Sequence, residues 1–207
     1  PGTEFMKKLD IHINYTFTNA NKYGLNNLIV SCSDEPGEGE HKLYKYIRDY
    51  PDEHNKFTTV IYGLDADLIM LTLNHLDIAE SMYLYRETPH FIKSLDKSLN
   101  PNCSYLMDIP KFATALAYDL NDNKKPETKQ KLNRIFDYIL LCFFMGNDFL
   151  PHFPALNIRT TGIDRIMDAY KSVIGTTNEN LTNGDTIYWK NLRKVIMKLA
   201  DNEDKLM

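Results

Sequence analysis

Residues 58–76 read TTVIYGLDADLIMLTLNHL, and the fold turns on this stretch. TTVIYGL (58–64) is apolar without alternation, the pattern of a strand covered on both faces in a parallel sheet. DLIMLTLNHL (67–76) continues as a helix behind it. Two aspartates, Asp65 and Asp67, stand at the junction. If the extended backbone persists through them, alternation aims both carboxylates to the same side. Ligands of open parallel sheets bind beyond the carboxyl ends of the strands, which is where this junction lies. Capping of the following helix accounts for Asp67 alone.

The flanking segments repeat the alternation. NLIVSCS (27–33) has the same two-sided apolar character and reads as an earlier strand. After Pro36-Gly37, EGEHKLYKYIRDY (38–50) reads as a helix with Leu43, Tyr46, Ile47 and Tyr50 on one face, stopping before Pro51. SMYLYRE (81–87) reads as a further strand. Strand–helix–strand–helix–strand order predicts an α/β fold with a mostly parallel sheet flanked by helices. FMKKLDIHINYTF (5–17) carries Phe5, Leu9, Ile13 and Phe17 at helical spacing and reads as an amphipathic helix.

From residue 108 onward the pattern is helical. DIPKFATALAYDL (108–120) opens with Asp108 as N-cap and Pro110 in the first turn. NDNKKPET (121–128) is a polar loop, and QKLNRIFDYILLCFFMG (130–146) is a long, largely buried helix ending at Gly146. GIDRIMDAYKSVI (162–174) and YWKNLRKVIMKL (188–199) follow as further helices.

Composition bounds the rest. The 207 residues are 43% hydrophobic and 25% charged, which suits a globular domain with a sizeable core. The longest apolar run, YILLCFFMG, is under half of what a bilayer needs, and no secretory signal is recognisable. Cys32, Cys103 and Cys142 are odd in number and lack metal-ligand spacing. A reduced, intracellular protein is therefore expected, with cytoplasm and nucleus both open, and the sequons at Asn102 and Asn180 read as chance. The net charge of −4 argues against a free-standing nucleic-acid-binding domain, where a basic balance is usual. It leaves room for a site that handles phosphates through metal ions.

Two more acidic motifs complete the chemistry. DEPGEGE (34–40) sets Glu38 and Glu40 at a predicted helix start, where the helix dipole favours negative charge by up to about 1 kcal/mol; helix capping in a solvated acidic turn is the plain alternative. Asp148, in CFFMGNDFLPHFP (142–154), follows the most apolar helix in a loop shaped by Gly146, Pro151 and Pro154. Convergence of the three motifs on one sheet edge demands neutralising cations, and carboxylate oxygens suit Mg²⁺ or Mn²⁺. Two such ions can activate a water and stabilise the leaving oxygen in phosphodiester hydrolysis.

PGEGEHK, YGLDADLIML and FFMGNDFLPHFPALNIR, in that order, resemble the Xrn family of 5'→3' exoribonucleases, and PGTEFM (1–6) resembles an internal stretch of its catalytic region. The resemblance runs to about Tyr170. It implies a core related to the PIN and flap-endonuclease nucleases, with Glu38, Glu40, Asp65, Asp67 and Asp148 as catalytic metal ligands. It also implies Mg²⁺-dependent (or Mn²⁺-dependent) release of 5'-mononucleotides from RNA bearing a 5'-monophosphate. In the family an earlier segment supplies two further aspartates and the basic 5'-phosphate pocket. The chain is thus expected to be the second half of a catalytic region, inactive without that segment as partner.

The domain division expected is a partial nuclease domain over 1–175, comprising an α/β core of about 1–90 and a helical part of about 105–175. A helical extension over 176–207 follows. His41, Lys42 and Arg159 are candidate RNA contacts, set against a solvated helix face for the first two and capping by Thr161 near the third. His152 reads as a hydrogen-bonded loop residue, and Tyr44, Tyr46, Tyr83 and Tyr85 as core or half-buried positions. Two competing functions are a haloacid-dehalogenase-like phosphatase and a non-catalytic nuclease-derived scaffold. The first shares an Asp-x-Asp after a strand, but DADLIM lacks its DxDG[TV] continuation and EGE goes unexplained.

Overall fold

The computed structural model describes residues 2–89, 92–147, 149–154, 156 and 161–203. The chain falls into two compact units, 1–56 and 57–207.

The first unit is helical. Helix α1 (Glu4–Thr16) starts where the Thr3 hydroxyl accepts from the Met6 amide, satisfying one of the free N–H groups of the first turn. The predicted amphipathic face is present, but none of its residues is buried. A short 3₁₀ turn (Ala20–Tyr23) follows, then helices α2 (Gly39–Asp49) and α3 (Pro51–His54). Tyr44 and Ile47 form the buried side of α2, whereas Leu43 and Tyr50 are exposed, which rotates the buried stripe away from the one expected. Tyr46 is half-buried.

Residues 27–33 are not a strand, contrary to the sequence reading. A strand is defined by a partner's backbone, and no described residue pairs with this one. Side chains hold it instead. Asp10 of α1 accepts from the Ser33 amide at 3.3 Å and from its hydroxyl at 2.6 Å, and the Lys42 ammonium of α2 donates to the Cys32 carbonyl at 2.6 Å.

The second unit holds the sheet. β1 (Thr59–Tyr62) pairs in parallel with β2 (Met82–Tyr85), in register Thr59 to Met82. Helix α4 (Asp67–Leu73) makes the crossover between them. A short helix α5 (Ile92–Leu95) leads to β3 (Leu106–Asp108), which adds antiparallel to the free edge of β2. The α/β class is as expected, while β3 was not foreseen. Its three residues run straight into helix α6 (Ile109–Leu120), so that Asp108 ends the strand and also caps the helix, accepting from the Lys111 amide at 3.0 Å. Leu73, Ile109, Ala113 and Ile135 seal the helix layer over this sheet.

Helix α7 (Thr128–Phe143) packs beside α6 and starts the helical portion. Helix α8 (Gly162–Tyr170), a π-helical turn (Lys171–Gly175) and helix α9 (Trp189–Glu203) complete it. Leu120, Leu141, Leu156, Ile166, Ile174, Leu181, Leu192 and Val195 form its core. Each such side chain contributes about 1.5–3 kcal/mol by leaving water.

Candidate metal centre and the loops that carry it

Glu38 occupies the N-cap position of α2 with extended backbone (φ −74°, ψ 153°), and its side chain makes no capping hydrogen bond. Glu40 lies in the first turn and is half-buried. One ligand atom each from Glu38, Glu40 and His41 fall within 4.8 Å of one another. The His41 Nδ1 approaches Glu38 Oε2 at 3.9 Å. Two carboxylates about 4 Å apart in water repel by only about 1 kcal/mol, which a helix N-terminus partly offsets. The pair is therefore tolerable without a cation, and oxygen-rich enough to hold a hard one.

Asp65 and Asp67 follow β1 in the second unit, both exposed. The extended backbone does not persist between them, because Ala66 is already right-handed helical (φ −68°, ψ −25°) and Asp67 is the first residue of α4. The alternation argument for their common direction therefore fails. Capping fails as well: Asp67 stands one position inside the N-cap and makes no side-chain cap bond. Neither aspartate has a hydrogen-bond or ion-pair partner among the described residues. A Cβ at Gly63 would lie 2.3 Å from Leu68 Cδ1, so a side chain there would oblige Leu68 to shift.

A cleft of about 370 Å³ opens beyond the carboxyl ends of β1 and β2. Asp65 lines it together with Arg86 and Glu87, which follow β2. Tyr62 donates its hydroxyl to Glu87, which holds the Tyr62 phenol in its protonated form above its ordinary range. Arg86 has no acceptor among the described residues. The sequence reading missed this Arg-Glu pair, although the strand-end rule that singled out Asp65 points equally to the end of β2.

Asp148 and Arg159 lie outside the described residues, and the loop around Asp148 is shaped by its neighbours. Gly146 adopts φ +79°, and a Cβ there would sit 2.7 Å from the His152 amide nitrogen. The Asn147 side-chain oxygen accepts from the Phe149 and Leu150 amides at 2.9 and 2.8 Å. His152 is a hydrogen-bonded loop residue, its Nδ1 lying 3.3 Å from the Phe153 carbonyl oxygen. Thr161 does not cap α8 with its side chain, because its backbone is left-handed (φ 42°).

One buried polar cluster was also unforeseen. Arg134 and Asp137, both 0% exposed, sit on the inner face of α7. Arg134 Nη1 donates to the Tyr170 hydroxyl (2.7 Å) and the Glu179 carbonyl (2.8 Å), and Nη2 donates to the Thr177 carbonyl (2.6 Å). The Tyr170 hydroxyl donates onward to Asp137 Oδ2 at 2.6 Å, and Asp137 Oδ1 accepts from the Leu181 and Thr182 amides. Burial pushes the Asp137 carboxyl up to about 6, against the pull of Tyr170, these two amides and Arg134. The cluster clasps residues 177–182 to α7 and is structural.

A small α/β sheet with exposed carboxylates after a strand, continued by a helical portion, has the build of a PIN-like nuclease core. The family description "XRN 5'-3' exonuclease N-terminus" matches residues 1–88, and "Xrn1 helical domain" matches 129–207. The chain is 33% identical over 230 aligned residues to the 5'-3' exoribonuclease 2 of Eremothecium gossypii, covering 100% of this chain and 24% of that protein. It is 30% identical over 242 to its counterpart in Arabidopsis thaliana, with the same coverages of 100% and 24%. With the 5'-3' exoribonuclease 1 of Schizosaccharomyces pombe it shares 32% over 218, covering 100% of this chain and 16% of that protein. The chain belongs to the Xrn family of 5'-3' exonucleases, and spans about a quarter or less of the length of these relatives. The helical-domain match carries the likeness past Tyr170, where the sequence motifs stopped, to residue 207. No described helix is long and apolar enough to cross a membrane.

Proposed function

We propose that this chain is part of the catalytic region of a 5'→3' exoribonuclease that removes mononucleotides from RNA bearing a 5'-monophosphate. The carrying observation is the pair Asp65 and Asp67, exposed beyond β1 with no protein partner among the described residues. Glu38, Glu40, Asp65, Asp67 and Asp148 are the residues that would hold Mg²⁺ or Mn²⁺. The donor set fits, being carboxylate oxygens with one adjacent imidazole. Bound divalent ions would neutralise the carboxylates, activate a water and stabilise the leaving oxygen.

The chain's own residues do the rest. His41 lies beside Glu38 on the first turn of α2, and Arg86 offers its guanidinium to an RNA phosphate at the cleft beside Asp65. His41 and Arg159 add backbone contacts, while Lys42, already bound to the Cys32 carbonyl, orders the loop that leads to Glu38. Residues 1–175 would form the nuclease portion and 176–207 its helical extension. In the family an earlier segment provides the remaining aspartates and the 5'-phosphate pocket. On this reading these 207 residues hydrolyse RNA poorly until that segment is supplied, because about 1 Å of misplacement costs about a hundredfold in rate.

The test is digestion of matched RNAs carrying 5'-phosphate or 5'-hydroxyl ends, by this chain and by a version joined to the family's upstream segment. The joined protein is expected to be active with Mg²⁺, to prefer the 5'-phosphate and to lose activity on Asp65→Ala. Robust 5'-phosphate-selective turnover by the 207 residues alone, or unchanged activity in Asp65→Ala, overturns the reading.

A further inference from the structure

Helix α9 carries a face that the hydrolytic chemistry does not use. Its inner side is buried at Leu192, Val195 and Leu199. Its outer side presents Trp189, 70% exposed, then Arg193, then Met197, 58% exposed, at successive i, i+4 positions. A rise of about 1.5 Å per residue spaces them about 6 Å apart along the axis. Lys190 and Lys198 flank this row at the same spacing, and Lys194 between them pairs with Glu179. No Asp or Glu occurs from Thr186 to Ala200, although the chain as a whole has a net charge of −4.

A row of lysines alone would be an ordinary solvated face. The indole changes the balance, because this is the only tryptophan in the chain and folded proteins normally keep most of that ring covered. An aromatic face for bases beside cations for phosphates is what single-stranded nucleic acid requires of a surface, and the carboxylates nearest this one are Glu179, engaged by Lys194, and Asp201, which ends the row. An acidic peptide would satisfy the cations and leave the indole without a matching flat partner.

We propose that the outer face of α9, built on Trp189, Arg193 and Lys190, is a contact surface for single-stranded RNA, on residues separate from the candidate metal ligands. This rests on the reading that RNA is the substrate. It adds a second hold on the strand, one that does not need metal.

Because Trp189 is the sole indole, its fluorescence reports this face directly. The probe is a short 5'-hydroxyl oligouridylate, titrated into the 207-residue protein in EDTA so that hydrolysis is suspended. Saturable quenching is expected, weakening with salt at a log–log slope of roughly −1.5 to −2, as for two or three phosphate contacts. Arg193→Glu is expected to raise the dissociation constant about tenfold or more. Trp189→Ala, followed by anisotropy of a labelled oligouridylate, is expected to weaken binding about tenfold, the size of one lost base stack. Oligouridylate binding that leaves the indole unquenched, or that Arg193→Glu does not weaken, overturns the proposal. So does equal quenching by polyglutamate, which assigns the face to an acidic protein. Shielding of the indole by self-association without RNA also overturns it. Quenching that persists while the joined protein fails to hydrolyse RNA sinks the nuclease reading and supports this one; hydrolysis with no quenching does the reverse.

Discussion

Replacing Tyr170 by Phe removes a single oxygen from the middle of the buried cluster and leaves the ring in place. That oxygen accepts from the Arg134 guanidinium at 2.7 Å and donates to the Asp137 carboxylate at 2.6 Å, with all three side chains withdrawn from water. Hydrogen bonds to charged groups are worth about 1.5–3 kcal/mol each, and two are lost. Some of that returns, because the phenol no longer has to be dehydrated, and Arg134 keeps its bonds to the Thr177 and Glu179 carbonyls. Asp137 keeps only its two amide donors on Oδ1, so Oδ2 is left in the core without a hydrogen bond. The net cost should be about 3 kcal/mol. For a protein of this size that lowers the melting temperature by about 6–12 °C. Urea unfolding followed by circular dichroism measures it, with Tyr118→Phe, an exposed ring, as the near-neutral control. A loss below about 1 kcal/mol for Tyr170→Phe would refute the argument, since it would mean that the hydroxyl is not bridging two dehydrated charges.

Asp137→Asn should flatten the dependence of stability on pH. The folded-state carboxyl titrates at about 6 rather than 3.8, so the stability it contributes is present below about 3.8 and is lost as pH rises through about 6. Between pH 3.5 and 7 the native protein should therefore lose on the order of 3 kcal/mol relative to the variant, and a pH-independent gap would contradict this. Gly146→Ala should cost about 1–3 kcal/mol, because the left-handed backbone and the His152 amide both exclude a methyl group; an unchanged unfolding midpoint would show that the turn relaxes. Millimolar Mn²⁺ should raise the melting temperature, by the equivalent of about 2.7 kcal/mol at a hundredfold excess over the dissociation constant. Asp67→Asn should reduce that response, and indifference of the native protein to Mn²⁺ would count against the metal centre.

Where local chemistry decides, the sequence was readable. Asp108 with Pro110 announces α6 because a cap and a first-turn proline act within four residues. The runs at 58–64 and 81–87 announce β1 and β2 by their apolar, β-branched and aromatic residues, but β1 is covered on one face only: Ile61 is buried while Val60 and Tyr62 are exposed, because no described element packs over that side. Residues 27–33 have the same apolar signature but pair with nothing described, since composition records burial preference and not the presence of a neighbouring strand. The junction at Asp65–Asp67 follows β1 as the sequence placed it, but the alternation invoked for its side chains does not run through it, because one residue, Ala66, is already helical. The Arg134–Asp137–Tyr170 cluster was hidden for a different reason. QKLNRIFDYILL was read for its apolar stripe, and a charge at i with its opposite at i+3 looks like surface pairing until both lie on the stripe that faces inward.

The clasp between α7 and residues 177–182 also fixes a length. Arg134 takes carbonyls from Thr177 and Glu179, while Asp137 takes amides from Leu181 and Thr182, so the strap 177–182 is gauged against the helical span 134–137. Adding or deleting one residue between Glu179 and Leu181 would put the carbonyls that Arg134 takes out of phase with the amides that Asp137 takes, and leave one of two opposite charges in the core without its partners. The polar stretch from Asp122 to Pro126 has no such gauge, since its residues face solvent or only their own turn. Loop-length variation should therefore be accepted before α7 and refused after α8, which makes the strap the ruler of the helical half.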